Sequence, residues 1–314
     1  MRMMKFAAAA CFLAVAVVGV AGQSPFAGRW NLTGTGEQAD HVYWLEVKEE
    51  GGTLTGMFLN RGGHALPVPE IKVENGELIF RLAGRENAPG PEFRGKVENG
   101  QLVGRSVHDN RTVNWIGRRP PSWPAADANA QHKFGKPVLL FNGRSLDNWE
   151  LQHKTRPSGW TVADGVMSNE AKANNLISRD KFTDFRIDAE YKLEKDSNSG
   201  IYLRGRYELQ VLDDHGQPIQ NRGHMSIYGR TAPSANASRA PGEWQVMQAT
   251  IVGNRVTVIL NGQKVHDNAT IEGLTGGALD ADEAAPGPVM IQGDHGKVYF
   301  RKLIVTPIIN SGAK

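Results

Sequence analysis

Short segments in which apolar and polar residues alternate constrain this chain more than any other feature. The clearest segment puts apolar side chains on every second residue, namely Phe185, Ile187, Ala189, Tyr191 and Leu193. Successive side chains of a β-strand point to opposite faces, so this spacing is typical of a half-buried strand. No window beyond the N-terminal segment repeats apolar residues at the spacing of an amphipathic helix. The pattern predicts an all-β protein.

The N-terminal segment has the features of a secretory signal peptide. Arg2 and Lys5 precede an unbroken apolar run that ends in small residues near Gly22, and the run is short for a retained membrane anchor. We expect residues 1–22 to be removed and the mature chain to be secreted or periplasmic, with no membrane span. Removal would take away the single cysteine, Cys11, and lower the formal net charge from +3 to +1. A nearly neutral chain gives no support for nucleic-acid binding.

Two regions follow the signal peptide. Residues 24–118 contain short alternating segments separated by turn signals, which indicate a small antiparallel β-barrel of unknown ligand whose Gly-x-Trp opening resembles lipocalin-like barrels. Residues 119–136 are rich in proline and alanine and read as a stiff linker. Residues 137–308 contain about a dozen short strands and no helical pattern, which predicts a two-sheet jelly-roll sandwich.

The stretch 197–213 concentrates polar chemistry on one predicted strand. Apolar residues alternate there with Glu208 and Gln210, so the strand has one apolar face and one polar face. The Gly205-Arg206 pair indicates a tight hairpin before it. A three-residue loop would place Arg204 opposite Glu208, whereas a two-residue loop would turn it to the other side.

A long polar segment follows this strand, from residue 213 to residue 240. Loops of that length inside a compact domain are usually functional or mobile. The segment carries Asp213, His224 and Tyr228 close in sequence to Glu208. We therefore expect part of a ligand site here.

The region from about residue 136 to residue 307 resembles the 3-keto-disaccharide hydrolase domain family. The motifs that carry the resemblance are Phe-Asn-Gly-Arg-Ser-Leu at 141–146 with Trp149, Trp-Thr-Val-Ala-Asp-Gly at 160–165, Phe-Thr-Asp-Phe at 182–185, Asn-Ser-Gly-Ile at 198–201 with Arg204, Tyr-Glu-Leu-Gln-Val-Leu-Asp at 207–213, Gly-Glu-Trp at 242–244, Leu-Asn-Gly at 260–262, Ile-Gln at 291–292 with His295, and Phe-Arg at 300–301. The resemblance implies a concanavalin-A-like jelly roll. The chain departs from the family at residues 224–228, where His-Met-Ser-Ile-Tyr replaces a Gly-Ala-Ile-Tyr turn.

The resemblance implies cleavage of a glycoside whose C3 hydroxyl has been oxidised to a ketone. The ketone acidifies the proton on C2, so a base can remove it, the enolate can expel the C1 oxygen, and water can then add back. This chemistry needs a base, a stabiliser for the enolate oxygen and a proton donor. It does not need the paired carboxylates of a standard glycosidase.

The resemblance assigns these roles to a small set of side chains. Glu208 or His295 would be the base, Arg204 or a divalent metal ion would stabilise the enolate, and Asp213 would be the acid or an orienting carboxylate. The expected partners of the sugar hydroxyls are Tyr202, Gln210, His224, Tyr228 and Gln292.

Structural roles for the same residues remain open from the sequence. Glu208 and Arg204 could form a cross-strand ion pair, and His295 could be a polar turn residue. A metal requirement stays unknown, with Asp213, Asp214 and His215 as candidate ligands.

Two other functions also remain open. Because the jelly roll is a lectin scaffold as well, the chain could be a carbohydrate-binding module without catalysis. It could also be a scaffold partner of a periplasmic sugar oxidoreductase.

Overall fold

The structure is a computed structural model that describes residues 24–84, 89–108, 111–124 and 131–310. The predicted signal peptide (1–22) and the central part of the predicted linker (125–130) lie outside these residues. The described elements are 22 β-strands and one short 3₁₀ turn, Gly36–Gln38. No helix in the described ranges has the length and apolar character needed to cross a bilayer. The all-β prediction is confirmed.

The first nine strands form one antiparallel sheet in the order β4-β3-β2-β1-β9-β8-β7-β6-β5. They are β1 (Gly28–Gly34), β2 (Val42–Glu50), β3 (Thr53–Asn60), β4 (Leu66–Pro67), β5 (Glu70–Glu74), β6 (Glu77–Arg81), β7 (Glu92–Glu98), β8 (Gln101–His108) and β9 (Arg111–Arg118).

This N-terminal sheet curls around an aromatic core. The two ends of the sheet approach each other at Gly56 of β3, where an added methyl group would stand 3.2 Å from Ile71 Cδ1 of β5. Neighbouring ring centroids in the core lie 4.7 to 6.3 Å apart. The rings belong to Tyr43, Phe58, Phe80, Phe93 and Trp115. The edge strands β4 and β5 are not paired with each other, so the predicted barrel is an incompletely closed one.

The remaining strands build two sheets that face each other. The eight-stranded sheet runs β12-β13-β22-β15-β18-β19-β20 with β10 on β22, and the five-stranded sheet runs β11-β14-β21-β16-β17. The strands are β10 (Val138–Phe141), β11 (Trp149–Leu151), β12 (Trp160–Ala163), β13 (Val166–Asn169), β14 (Leu176–Phe182), β15 (Phe185–Leu193), β16 (Asn198–Leu203), β17 (Tyr207–Leu212), β18 (Gln245–Val252), β19 (Arg255–Leu260), β20 (Gln263–Thr270), β21 (Gly287–Ile291) and β22 (Val298–Pro307).

The apolar faces of the two sheets form the main core. All five alternating apolar residues of β15 are buried there, opposite apolar residues of β17 and β21. The predicted jelly-roll sandwich is therefore confirmed. Val42, Trp44 and Leu59 of the N-terminal sheet are buried in the same cluster, so the two regions share one continuous packed interior.

Candidate active site

The register of the five-stranded sheet lines up one row of side chains across its outer face. Pairing places Glu150 beside Ile177, Ile177 beside Met290, Met290 beside Tyr202, and Tyr202 beside Glu208. Their neighbours along the strands point into the apolar core. Glu208 thus lies on the face that the sandwich core does not use, next to a tyrosine.

The Glu208 carboxyl is buried, with 3% of the residue exposed. Its Oε2 lies 2.9 Å from the Tyr202 hydroxyl. Gly200 makes room for it, because a methyl group on that residue would stand 2.5 Å from Glu208 Oε1. Strand β17 therefore supplies the carboxyl, and the adjacent strand β16 supplies the Tyr202 hydroxyl and the space at Gly200.

Burial raises the pKa of Glu208 to about 8, although the hydrogen bond with Tyr202 and the nearby His295 act in the opposite direction. The Tyr202 hydroxyl also lies 2.9 Å from the carbonyl oxygen of Gly276, which can only accept a hydrogen bond. A neutral Glu208 can therefore donate to Tyr202 while Tyr202 donates to Gly276. An ionised Glu208 can accept the Tyr202 proton instead, so the pair accommodates both protonation states.

The segments that contain Thr275 and Tyr228 cover the free edge of β17 at Glu208. The Glu208 N–H donates to Thr275 Oγ1 over 2.8 Å, and the Tyr228 N–H donates to the Glu208 carbonyl over 3.0 Å. Partial burial and the neighbouring Glu208 charge raise the pKa of Tyr228. Tyr228 is half-buried and keeps its phenol proton at neutral pH, so it can donate a hydrogen bond to a ligand.

His295 and Asp294 form a half-exposed pair in the loop after β21. Nδ1 of the imidazole lies 2.7 Å from Asp294 Oδ1, and this contact raises the pKa of His295. Asn175 Oδ1 accepts the N–H of Gly293 over 2.8 Å and that of Asp294 over 3.2 Å, which fixes the loop. The loop that carries this pair lies against β16, because the Gln292 N–H donates to the Gly200 carbonyl over 2.9 Å and the Gly296 N–H donates to the Asn198 carbonyl over 2.7 Å. The His295 charge lowers the pKa of Glu208, and the Glu208 charge raises the pKa of His295.

The two predicted glutamines lie on either side of this centre. Gln210 is buried two residues along β17 from Glu208, and its side-chain oxygen accepts the Val211 N–H over 3.1 Å. Gln292 follows β21, is half-buried, and is held by backbone contacts with Gly200 and Ser199.

The structure does not bring Arg204 to the Glu208 carboxyl. The hairpin loop consists of Arg204, Gly205 and Arg206, and Tyr202 rather than Arg204 faces Glu208. The sequence left the length of this loop open between two and three residues. The loop has three residues, but the pairing of Arg204 with Glu208 expected for that length is wrong. Arg204 is buried elsewhere, donating to the Thr183 carbonyl and, over 2.7 Å, to Asp184. It forms neither the enolate contact nor the ion pair with Glu208.

Asp213 and His224 are also placed away from Glu208. Asp213 follows the end of β17 and accepts the Asp196 N–H over 2.9 Å. His224 is buried between the Tyr191 hydroxyl, 2.8 Å from Nε2, and the Leu212 N–H, 3.0 Å from Nδ1. Burial lowers the pKa of His224 to about 4, so this imidazole is a neutral structural group rather than a sugar ligand.

The candidate metal ligands make loop contacts instead of converging. Asp214 accepts the His224 N–H over 2.8 Å, and His215 Nδ1 lies 2.8 Å from the Ser238 carbonyl oxygen. Within the described ranges, no group of three or more histidine, cysteine, aspartate or glutamate side chains is arranged to hold a metal ion.

Asp294, Thr275 and Gly276 are site residues that the sequence interpretation missed. Asp294 directly precedes His295, and that adjacency could have been read as a carboxylate beside an imidazole. Thr275 and Gly276 lie in an irregular loop more than 60 residues beyond Glu208. No local pattern links that loop to β17.

Comparisons with known proteins agree on the second region. A family model described as the 3-keto-alpha-glucoside-1,2-lyase-like domain matches residues 136–306. A 3-keto-disaccharide hydrolase from Bacteroides thetaiotaomicron is 25% identical over 158 residues, which are 39% of this chain and 54% of that protein. The chain thus spans about half the length of this curated relative.

Two solved structures from Parabacteroides distasonis, both provisionally named glycosyl hydrolases, are also similar. One is 32% identical with a TM-score of 0.48 and covers 55% of this chain and 84% of its own. The other is 20% identical with a TM-score of 0.47 and covers 55% of this chain and 94% of its own.

The family model covers more than half of the chain and includes both sheets of the sandwich and the residues around Glu208. The chain therefore belongs to the family of 3-keto-alpha-glucoside-1,2-lyase-like domains.

Proposed function

We propose that this protein cleaves 3-keto-glycosides by elimination at C1 followed by addition of water. The observation that carries the proposal is the buried Glu208 carboxyl, which is hydrogen-bonded with Tyr202. The charges of the His295–Asp294 pair act on its pKa. Membership of the family and the name of the Bacteroides relative support the same class of substrate.

Glu208 is the base in this proposal. A carboxylate whose conjugate acid has a pKa of about 8 is a stronger base than an ordinary glutamate, and so better matched to a proton next to a ketone. It takes the C2 proton, and the C2–H electrons pass into an enolate spread over C2, C3 and the ketone oxygen. The phenol of Tyr228 is the donor proposed for that oxygen.

His295 is the proposed proton donor for the departing group. Asp294 raises the pKa of the imidazole, so it holds a proton closer to neutral pH than a free histidine does. As the enolate reforms the ketone, the C1–O bond breaks and the leaving oxygen takes this proton. Water then adds to C1 and a proton returns to C2, which completes a net hydrolysis.

The test compares two glutamine variants of the full chain with 3-keto-disaccharides as substrates. Glu208→Gln keeps the size of the side chain but cannot take a proton, so we expect kcat to fall by at least about a thousandfold while binding persists. Glu150→Gln is the matched control, because Glu150 lies in the same row at the far edge of the sheet. Product release is measured by chromatography.

A retained kcat in Glu208→Gln would contradict the role of Glu208. Binding of the keto-sugar without any release by the unchanged protein would instead favour a carbohydrate-binding module.

A further inference from the structure

The connection between β3 and β4, residues 61–65, leaves the N-terminal sheet and lies against the second region. The Gly277 N–H donates to the Arg61 carbonyl over 2.8 Å. Gly276 packs so closely on the Gly63 backbone that a methyl group could not fit between them. A methyl group on Gly229 would stand 2.5 Å from His64 Cβ. We refer to residues 61–65 as the β3–β4 loop.

These contacts place the β3–β4 loop beside both tyrosines of the Glu208 site. Gly276 presents its carbonyl to the Tyr202 hydroxyl on one side and meets Gly63 on the other. Gly229 directly follows Tyr228, which is bonded to the β17 backbone at Glu208. Only one layer of backbone therefore separates the β3–β4 loop from the groups around the carboxyl.

Buried polar contacts hold the two regions in this arrangement. Asn31 Nδ2 donates to Glu283 Oε1 over 2.6 Å, and Glu283 Oε2 accepts the Tyr207 hydroxyl over 2.7 Å. The Arg230 guanidinium lies 3.8 Å from the centroid of the Trp44 ring and donates to the Leu274 carbonyl. Trp44 is also part of the core cluster that the two regions share, so the N-terminal sheet packs against the second region.

Two side chains of the β3–β4 loop are available here. Arg61 is exposed and His64 is half-buried, and both are hydrogen-bond donors suited to hydroxyl groups. A keto-sugar held beside Glu208 would be within reach of Tyr228, Gln292 and His295. The β3–β4 loop lies on the far side of Gly276 from the Tyr202 hydroxyl, and a group attached to C1 that extended in this direction would meet it.

We propose that the N-terminal sheet completes the substrate site, with Arg61 and His64 binding the group that leaves from C1. The group that leaves from C1 is then bound by residues that lie outside the family domain, which begins at residue 136. This inference rests on the proposed function.

The test measures kcat and KM of the full chain with a 3-keto-disaccharide and with methyl 3-keto-glucoside. In His64→Ala and in Arg61→Ala, loss of a hydrogen bond to the leaving sugar should raise KM for the disaccharide by about five- to twentyfold, with kcat changed less than about twofold. KM for the methyl glycoside should stay within about twofold in both variants. His132→Ala is the matched control, because His132 lies beside Phe134 and away from the β3–β4 loop.

The inference would be overturned if the variants raised KM equally for the two substrates. It would also be overturned if neither variant changed KM for either substrate. Failure of the proposed function has a different signature, since the unchanged protein would then cleave neither substrate. In that case the His64 ring signals in an NMR titration with the 3-keto-disaccharide decide the question. A shift that the His132 signals lack supports contact with the ligand, and unchanged His64 signals refute it.

Discussion

Glu208 combines two properties that oppose each other in most proteins, because its carboxyl is buried and is also placed to exchange a proton. In the unfolded chain a glutamate ionises near its usual pKa of 4.5, whereas the folded protein raises the pKa of Glu208 to about 8. Between those values the folded state keeps a proton that the unfolded state releases. Glu208 therefore makes the protein less stable as the pH rises through this window.

Replacement of Glu208 by glutamine should remove this pH-dependent loss of stability. We compare the free energy of unfolding of Glu208→Gln with that of the unchanged protein. The variant should gain on the order of 4 kcal/mol relative to the unchanged protein between about pH 5 and about pH 9. Urea unfolding of both proteins across that range measures the difference. A difference that does not vary with pH would mean that Glu208 ionises normally in the folded state.

At the level of single residues, the sequence could predict which side chains of a strand share a face, but not where the hairpin turn would place Arg204. Alternation along β17 put Glu208 and Gln210 on one face, and both lie there. Arg204 follows the last residue of β16 and turns away to Asp184. Asp184 lies 20 residues earlier, in the turn between β14 and β15, so the sequence of the hairpin has no local pattern that indicates this contact.

Strands β16 and β17 position the candidate site as a unit, and Gly200 is the residue of β16 that permits this. Its backbone is not in the left-handed region, so alanine can adopt it without strain. The added methyl group would stand 2.5 Å from Glu208 Oε1 and displace the carboxyl from Tyr202.

Gly200→Ala should therefore lower kcat/KM for a 3-keto-disaccharide by at least about a hundredfold, because small displacements of a base are costly. The change in unfolding free energy should stay below about 2 kcal/mol, since the flexible Glu208 side chain can move. Steady-state kinetics and urea unfolding test both expectations. A variant with nearly unchanged kcat/KM would show that the position of the carboxyl beside Tyr202 does not matter.

At the level of elements, the number and type of strands followed from alternation and turn residues, but register did not. The Gly205-Arg206 pair indicated a hairpin but left the length of its loop open. The three-residue loop between β16 and β17 pairs Tyr202 rather than Arg204 with Glu208. A shift of one residue in a hairpin exchanges the two faces of a strand. The apolar core fixes the register here, and that core is assembled from segments distant in the sequence.

The whole molecule is more closely integrated than its sequence suggests. The family match covers residues 136–306 and leaves the N-terminal sheet unexplained. Val42, Trp44 and Leu59 nevertheless belong to the sandwich core, and the β3–β4 loop packs against Gly229 and Gly276. Contacts between two regions of one chain depend on surface complementarity, for which alternation and turn chemistry give no signal.

The central claim concerns the proton on C2 of the keto-sugar, so the most direct measurement follows that proton. The unchanged protein and Glu208→Gln are incubated with a 3-keto-disaccharide in D2O, and NMR compares deuterium at C2 of the released keto-sugar with an enzyme-free sample. The account predicts that the unchanged protein cleaves the substrate and releases a keto-sugar with deuterium at C2 well above the spontaneous background. Glu208→Gln should show no cleavage and no deuterium above that background. Cleavage that leaves the C2 hydrogen in place and shows no primary kinetic isotope effect with substrate deuterated at C2 would contradict it.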